Sequence, residues 1–547
     1  MKKTFLFFIL ALCSVALFAQ NEDWIWANQA GGTDLDWGES IAVDDNGNSY
    51  VTGRFYGSAT FGTTTLTGSG DSDIFVAKLD INGNWLWAKQ AGVTSDSYGI
   101  AVDANGNSYV TGCFYYSAIF GTTTLTSSGG FDIFVAKLDS SGNWLWAKKA
   151  GGIDFACGYS IAVDANGNNY VTGVFGESAT FDATTLTSSG GDDIFVAKIG
   201  HNGNWLWAKQ AGGTNDDYGY SIAVDANGNN YVTGRFSGCA TFGATTLTSS
   251  GGDDIFVAKL DINGNWLWAK QAGGTDYDIV YSIAVDDNGN SYVTGYFWSS
   301  ATFGATTLTS SGQYDIFVAK MDSNGNWLWA KQAGGTSSDR GYSIAVDDNG
   351  NSYVTGYFEE SATFGATTLT SSGYEDIFVA KLNINGNWLW AKQAGGTSGD
   401  FGLSIAVDAN GNSYVTGNFA ESATFGTTTL TSSGYGDIFV AKLGEVNSID
   451  LPDIISFSGI RSIYPNPFNP LTTIDYEISM PADVIIEVYN NRGQLVRNFI
   501  LGYKEQGSYK LTWEGKDNNG CLCSTGIYYI RMQAGKEIYI KKAVLLK

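Results

Sequence analysis

Carboxylates are the reactive groups this chain has in quantity: 54 Asp and Glu against 30 Lys and Arg, with one histidine, His201. A single histidine excludes a multi-His metal centre. A Ser-His-Asp triad would have to be built around a turn, because His201 opens a His-Asn-Gly-Asn turn where sister segments carry Ile or Ser. Paired carboxylates cleave glycosidic bonds when they sit in unlike environments. Asp44, Asp103 and Asp164 belong to a position repeated seven times, so they cannot supply that asymmetry and read as turn caps. The Asp-Ala-Asn-Gly-Asn turn lacks the ligand and glycine placement of an EF-hand. No P-loop, zincin or dinucleotide fingerprint is present. We therefore assign no catalytic residue, no metal ligand and no cofactor, leaving calcium as the one cation the loops keep open.

Two segments vary from copy to copy while the rest of each repeat is held. One follows Tyr-Val-Thr-Gly and the other follows Ala-Gly-Gly. Loops on a rigid scaffold are where binding residues concentrate. These segments contribute Trp37, Tyr56, Tyr115, Tyr116, Trp298, Glu359 and Glu360 as singular members. Asp36, Asp217, Asp278, Asp339 and Asp400 share one position in five of seven copies. Aromatic and acidic side chains together suit a glycan, a peptide or a cation. The blander reading is drift at tolerant loop positions.

The elements that must carry these loops follow from internal repetition. Ile-Ala-Val-Asp begins at Ile41, Ile100, Ile161, Ile222, Ile283, Ile344 and Ile405, spaced by 59 residues once and 61 five times. Seven Trp-x-Trp pairs take 14 of the 17 tryptophans. Each unit offers four strands, with Asn-Gly turns inside its two hairpins. No segment has a helical period. Four strands recurring seven times predict a seven-bladed β-propeller, with a solenoid as the alternative. Both tryptophans of a pair point to one face of their strand, which places them between neighbouring blades. Trp24-Ile25-Trp26 begins the repeats as an outermost strand without a blade of its own, and the last Asp-Ile-Phe-Val-Ala-Lys, at Asp437, has no Trp-x-Trp after it. Pairing these two would close a ring.

Residues 1–19 read as a signal peptide: Lys2 and Lys3, an apolar run from Phe5 to Phe18, and a cut after Ala19. Leu12 before Cys13 does not fit a lipoprotein signal. No other segment is long and apolar enough to span a bilayer. Of the remaining five cysteines, Cys113, Cys157 and Cys239 are scattered through repeats whose sister copies lack them. Cys521 and Cys523 form a Cys-x-Cys pair that reads as small residues of a strand-linking loop, and together the five make no disulfide framework. Net charge is −24, and residues 454–547 hold 11 Lys and Arg against 8 Asp and Glu, so the body carries the acidity. That charge repels phosphate backbones and excludes nucleic acid as a partner.

The units Asp-Ile-Phe-Val-Ala-Lys-Leu-Asp and Gly-Tyr-Ser-Ile-Ala-Val-Asp, with their Asn-Gly turns, resemble the bacterial propeller repeats called SBBP, over residues 21–443. The resemblance implies the fold and no shared chemistry. Residues 444–461 read as a linker and 462–547 as an Ig-like β-sandwich. Pro465, Asn466 and Pro467, then Gly526 and Tyr528, then Lys541, Lys542 and Lys547 carry a resemblance to C-terminal sorting domains of type IX secretion. That resemblance implies the secretion machinery as partner and a secreted or outer-surface location. A flagellar-hook-capping type of Ig-like module shares much of the pattern and would imply a structural role. The functional expectation is a non-catalytic binding or structural surface protein. The alternatives are a carboxylate-based glycosidase or lyase on the varied face and a calcium-stabilised surface repeat.

Overall fold

Each repeat folds as an antiparallel meander whose four strands run from the axis outward. A computed structural model describes residues 22–445 and 458–546, apart from 70, 93–94, 480, 506 and 536. The leader, most of the linker and Lys547 lie outside the described residues. Among the described residues there is no helix. The first blade pairs Trp37–Val43, Ser49–Phe55, Asp73–Leu79 and Trp85–Ala91 in that order. Seven such four-stranded sets are present among the described residues.

The innermost strands pack side by side around the axis, each against the next, and the last (Asp400–Val407) returns to the first. The seventh blade is completed by Glu22–Ala30, which pairs with Asp437–Glu445. Trp24 stands opposite Leu443 and Trp26 opposite Lys442. Trp85 and Trp87 stand opposite Leu79 and Lys78 in the same way in the first blade.

Interface residues are nearly invariant from blade to blade. In six of the seven pairs the second tryptophan donates its indole N–H to the outer turn of the next blade, as Trp87 does to the carbonyl of Ser140 (3.3 Å). Trp390, which faces the blade completed by the amino-terminal strand, has no acceptor among the described residues. The first tryptophan of each pair packs edge-on against a phenylalanine, as Trp85 does against Phe61 (5.2 Å). The indoles are half-buried, so each stabilises its interface by roughly 2–3 kcal/mol, half the value for full burial. On one rim, Asp44 Oδ1 accepts from the backbone N–H groups of Asn46 and Asn48, while Tyr50 donates to its Oδ2 (3.1 Å). These recurrent aspartates are turn caps, as their spacing predicts.

A feature absent from the four-strand reading is a short hairpin between the second and third strands, Ser58–Phe61 with Thr64–Thr67 in the first blade. It clasps the preceding blade: Thr60 N–H donates to the Gly31 carbonyl (2.8 Å), and Gly31 N–H returns a bond to Thr60.

A ring of serines ties the inner strands. Ile41 N–H donates to Ser404 Oγ, Ile100 to Ser40, Ile222 to Ser160, Ile283 to Ser221, Ile344 to Ser282 and Ile405 to Ser343, at 3.2–3.3 Å. The seventh bond is missing because the second copy carries Gly99. A Cβ there would lie 3.2 Å from Ile161 N, so the neighbouring strand yields by a few tenths of an ångström when a side chain is added. Gly99→Ser is expected to supply the bond and reduce the entropy of the unfolded chain, raising stability by about 1 kcal/mol in urea melts. A lowered midpoint would show that the tight contact outweighs the bond.

The carboxy-terminal unit is a two-sheet sandwich. One sheet orders Gly459–Tyr464, Thr472–Ile478 and Gly507–Trp513; the other orders Leu495–Lys504, Ala482–Asn490, Gly526–Ala534 and Glu537–Leu545. Ile474, Ile486, Trp513 and Ile530 form its core. The span 444–461 expected as linker is shorter than that. The propeller strand continues to Glu445, and the sandwich begins pairing at Gly459 because Ile460 is apolar and joins the core.

Candidate functional site

In each inner strand one residue is bulged out of the ladder, between Gly38 and Ser40 in the first blade. A bulge re-aims its side chain. Here it aims Glu39, Tyr98, Tyr159, Tyr220, Tyr281, Tyr342 and Leu403 at the axis, where they line a cavity of about 130 Å³ with the serine ring. The five tyrosines form a continuous arc, with centroids 5.6, 5.9, 5.6 and 5.1 Å apart in chain order. Glu39 and Leu403 fill the gap.

Above this ring stand Arg54, Cys113, Val174, Arg235, Tyr296, Tyr357 and Asn418, each opposite an inner-strand residue two before the bulge. Those partners are Trp37, Asp96, Cys157, Tyr218, Ile279, Arg340 and Phe401. The repeats thus diverge where they surround the axis on one side, and agree where they touch each other.

The electrostatics are built from few groups. Burial pushes the Glu39 carboxyl up to about 7, against the pull of Arg54 and with repulsion from Asp96. Arg54 reaches both, at 3.4 and 3.6 Å, and lies 5.4 Å over the Trp37 ring. Arg235 pairs with Asp253 and lies 4.5 Å over Tyr218. Cys113 and Cys157, expected as scattered singletons, meet across the second and third blades in one buried cluster with Val174. Their burial holds the Cys157 thiol well above its ordinary range.

The loop residues expected on the varied face divide. Trp37 is part of the axial wall, stacked on Phe401 at 6.5 Å. Trp298 is 43% exposed and touches Tyr314 edge-on (5.7 Å). Tyr115 stacks on Phe131 and meets exposed Tyr116 at a tilt. Tyr56 and Glu359 are half-buried and Glu360 is exposed. Tyr116 and Glu360 hold positive φ (60° and 56°) in the turn where sister copies have Gly57 and Gly238.

The five aspartates do not face solvent, which corrects the expectation that they offer carboxylates to a ligand. Asp36, Asp217, Asp278, Asp339 and Asp400 are fully buried. Asp36 accepts from Gly32 and Tyr56, and Asp339 from Gly335 and Glu359, all backbone N–H groups. The carboxylates of Asp36, Asp217, Asp339 and Asp400 each tie together the two varied segments, which leave the blade at the same rim, while Asp278 accepts from Gly274. Desolvation raises Asp36, Asp217, Asp278 and Asp400 to about 7 and Asp339 to about 8, despite those N–H bonds. Among the described residues no three His, Cys, Asp or Glu side chains cluster as a metal site.

In the sandwich the three motifs meet. Asn466 donates to the Lys542 carbonyl (3.0 Å) and accepts from Val544 N–H (2.8 Å). Tyr528 donates to the Ser524 carbonyl (2.6 Å) and packs on Trp513. Lys541 donates to the Arg461 carbonyl (2.5 Å). Pro465 and Pro467 are exposed around this clip.

Residues 25–54, 86–112, 206–235, 267–299, 328–357 and 389–418 match the beta-propeller repeat family, SBBP, and residues 470–537 match the FlgD Ig-like domain. An uncharacterized WD repeat-containing protein of Acanthamoeba polyphaga mimivirus is 26% identical over 498 residues, covering 72% of this chain and 36% of its own. Regulatory protein FlaEY of Caulobacter vibrioides is 28% identical over 349 residues, covering 58% of this chain and 36% of its own. The chain spans about a third of the length of these relatives. PorZ, a surface component of the type IX secretion system of Porphyromonas gingivalis, superposes with a TM-score of 0.26 at 12% identity, over 95% of this chain and 75% of its own. No helix among the described residues is long and apolar enough to cross a membrane.

Proposed function

We propose that this repeat protein is an exported, non-catalytic binding propeller, and that its ligand enters the funnel above the tyrosine ring. One observation carries the reading: the copies are alike at every blade interface and differ in the residues facing the axis on one side. An architecture alone needs no such asymmetry. The polar cavity, the aromatic wall and exposed Trp298 suit a hydroxyl-rich ligand, held by hydrogen bonds and ring contacts. Export rests on the leader-like amino terminus and on the clip joining Asn466 to the final strand, which together support a sorting role for the sandwich.

The test uses the full chain on arrays of glycans and matrix proteins. Binding is expected, weakened at least tenfold in Trp298→Ala and unchanged in Asn105→Ala on the opposite rim. Equal loss in both variants, or binding by neither parent nor variant, rejects the funnel. Deletion of 462–547 is expected to retain the protein inside the producing cell; undiminished release rejects the sorting role.

A further inference from the structure

The propeller has three arginines, Arg54, Arg235 and Arg340, and all three belong to the funnel; every other cation in the repeats is lysine. Two are neutralised by carboxylates, Arg54 by Glu39 and Asp96, Arg235 by Asp253. The third is not. The Arg340 guanidinium lies 4.6 Å over Tyr296, 5.0 Å over Tyr314 and 5.8 Å over Tyr357. Among the described residues no carboxylate pairs with it, and its buried Nε has no acceptor. Glu359 and Glu375, which face each other on the neighbouring strands, act on Tyr357 and make no ion pair with Arg340.

Arg340 donates one hydrogen bond to the Tyr342 hydroxyl. A guanidinium stacked among rings keeps its remaining in-plane N–H groups for a planar anion, which it holds in a two-pronged bond that lysine cannot reproduce. In a chain of net charge −24, an uncompensated arginine at the bottom of a funnel is a local inversion of sign. Beside it Trp298 and Tyr314 offer an exposed aromatic edge, and the cavity below presents tyrosine and serine hydroxyls.

We propose that Arg340 is the anion subsite of the funnel and takes the carboxylate of an acidic sugar, with the Trp298–Tyr314 edge against the ring of that sugar. This rests on the binding-propeller reading and narrows its ligand to carboxylated glycans. A neutral glycan leaves the guanidinium unpaired, and a carboxylated one satisfies it.

The experiment is calorimetric titration of the full chain with oligogalacturonate, its methyl ester and an acidic peptide of equal charge. Oligogalacturonate is expected to bind and the ester to bind at least tenfold more weakly. Arg340→Lys is expected to lose at least tenfold and Arg340→Gln to lose binding, both with melting curves near the parent's. Affinity is expected to fall with added salt. Equal affinity for acid and ester, or undiminished binding by Arg340→Gln, overturns the anion subsite while leaving a glycan-binding funnel in place. Binding of the peptide but not the sugar overturns the acidic-sugar assignment. Absence of binding to all three probes overturns the subsite.

Discussion

Deleting residues 22–30 is expected to unfold the propeller as a whole, though they are nine residues of one edge strand. The reason is where their bonds go. The strand supplies the outer ladder of the seventh blade, from Glu22 opposite Glu445 to Ala30 opposite Ile438. Trp24 Nε1 donates to the Gln393 carbonyl of the sixth blade, and Trp26 Nε1 to the Ile81 carbonyl of the first, both at 3.1 Å. Gln29 exchanges hydrogen bonds with Thr431 in the seventh. One strand therefore bonds three blades. Truncating a large aromatic to alanine costs roughly 3–5 kcal/mol when fully buried, and about half that here. Two such losses plus an exposed strand edge approach the total stability of a typical domain, about 5–15 kcal/mol. Trp24→Ala with Trp26→Ala is expected to lower the melting temperature by more than Trp85→Ala with Trp87→Ala, because an inner blade stays tethered on both sides by the chain. A deletion variant with the parent's melting temperature and protease resistance would mean that the ring holds without this strand.

The closure was legible in the sequence because it is a matter of counting. Seven copies of Asp-Ile-Phe-Val-Ala-Lys and seven of Trp-x-Trp are out of phase by one strand, and only a ring makes use of both ends. The blade interfaces were legible for a related reason: the same residues recur, so one strand's pattern speaks for seven. The clasping hairpin was not read, although Ser-Ala-Thr-Phe recurs, because four-residue strands give too few alternations to set a period. Glu39 and the tyrosine arc were missed for a geometric reason. They precede Ser-Ile-Ala-Val-Asp in every copy but that of Gly99, so alignment of the copies exposes them. Their direction comes from a bulge, which breaks the strict alternation that assigns a strand residue to a face. The buried aspartates failed in the opposite sense. Their loop position was right, but their burial comes from contact between two segments some 20 residues apart, which no local pattern encodes.

Those same aspartates give the protein an acidic stability optimum. In the native state Asp36, Asp217, Asp278 and Asp400 hold their protons up to about pH 7, and Asp339 up to about 8. The unfolded chain releases them near pH 4. Between about pH 4 and 8 the native state therefore binds more protons than the unfolded one, and stability falls as pH rises. A carboxyl raised from near 4 to about 7 corresponds to about 4 kcal/mol between its two forms, so even partial expression at five sites is large. Below that window the direction reverses. Turn aspartates such as Asp80 and Asp322 are held below their ordinary range: desolvation pushes them up, and the combined bonds from Asn84 and Asn82, or from Asn326 and Asn324, outweigh it. Their stabilisation is present above about pH 4 and lost as they are protonated. Melting temperature is thus expected to peak near pH 4–5 and to decline by several degrees toward pH 8. Relief of general repulsion in a chain of charge −24 acts in the same direction, and salt separates the two. Screening weakens surface repulsion and leaves fully buried carboxyls nearly untouched, so the decline should persist at high ionic strength. Asp339→Asn removes one titrating group while keeping an amide oxygen for the Gly335 or Glu359 N–H, and should make the decline shallower. A melting temperature that rises from pH 5 to pH 8 in high salt would show that these carboxylates are ionised in the native propeller, held by their N–H bonds rather than by protons.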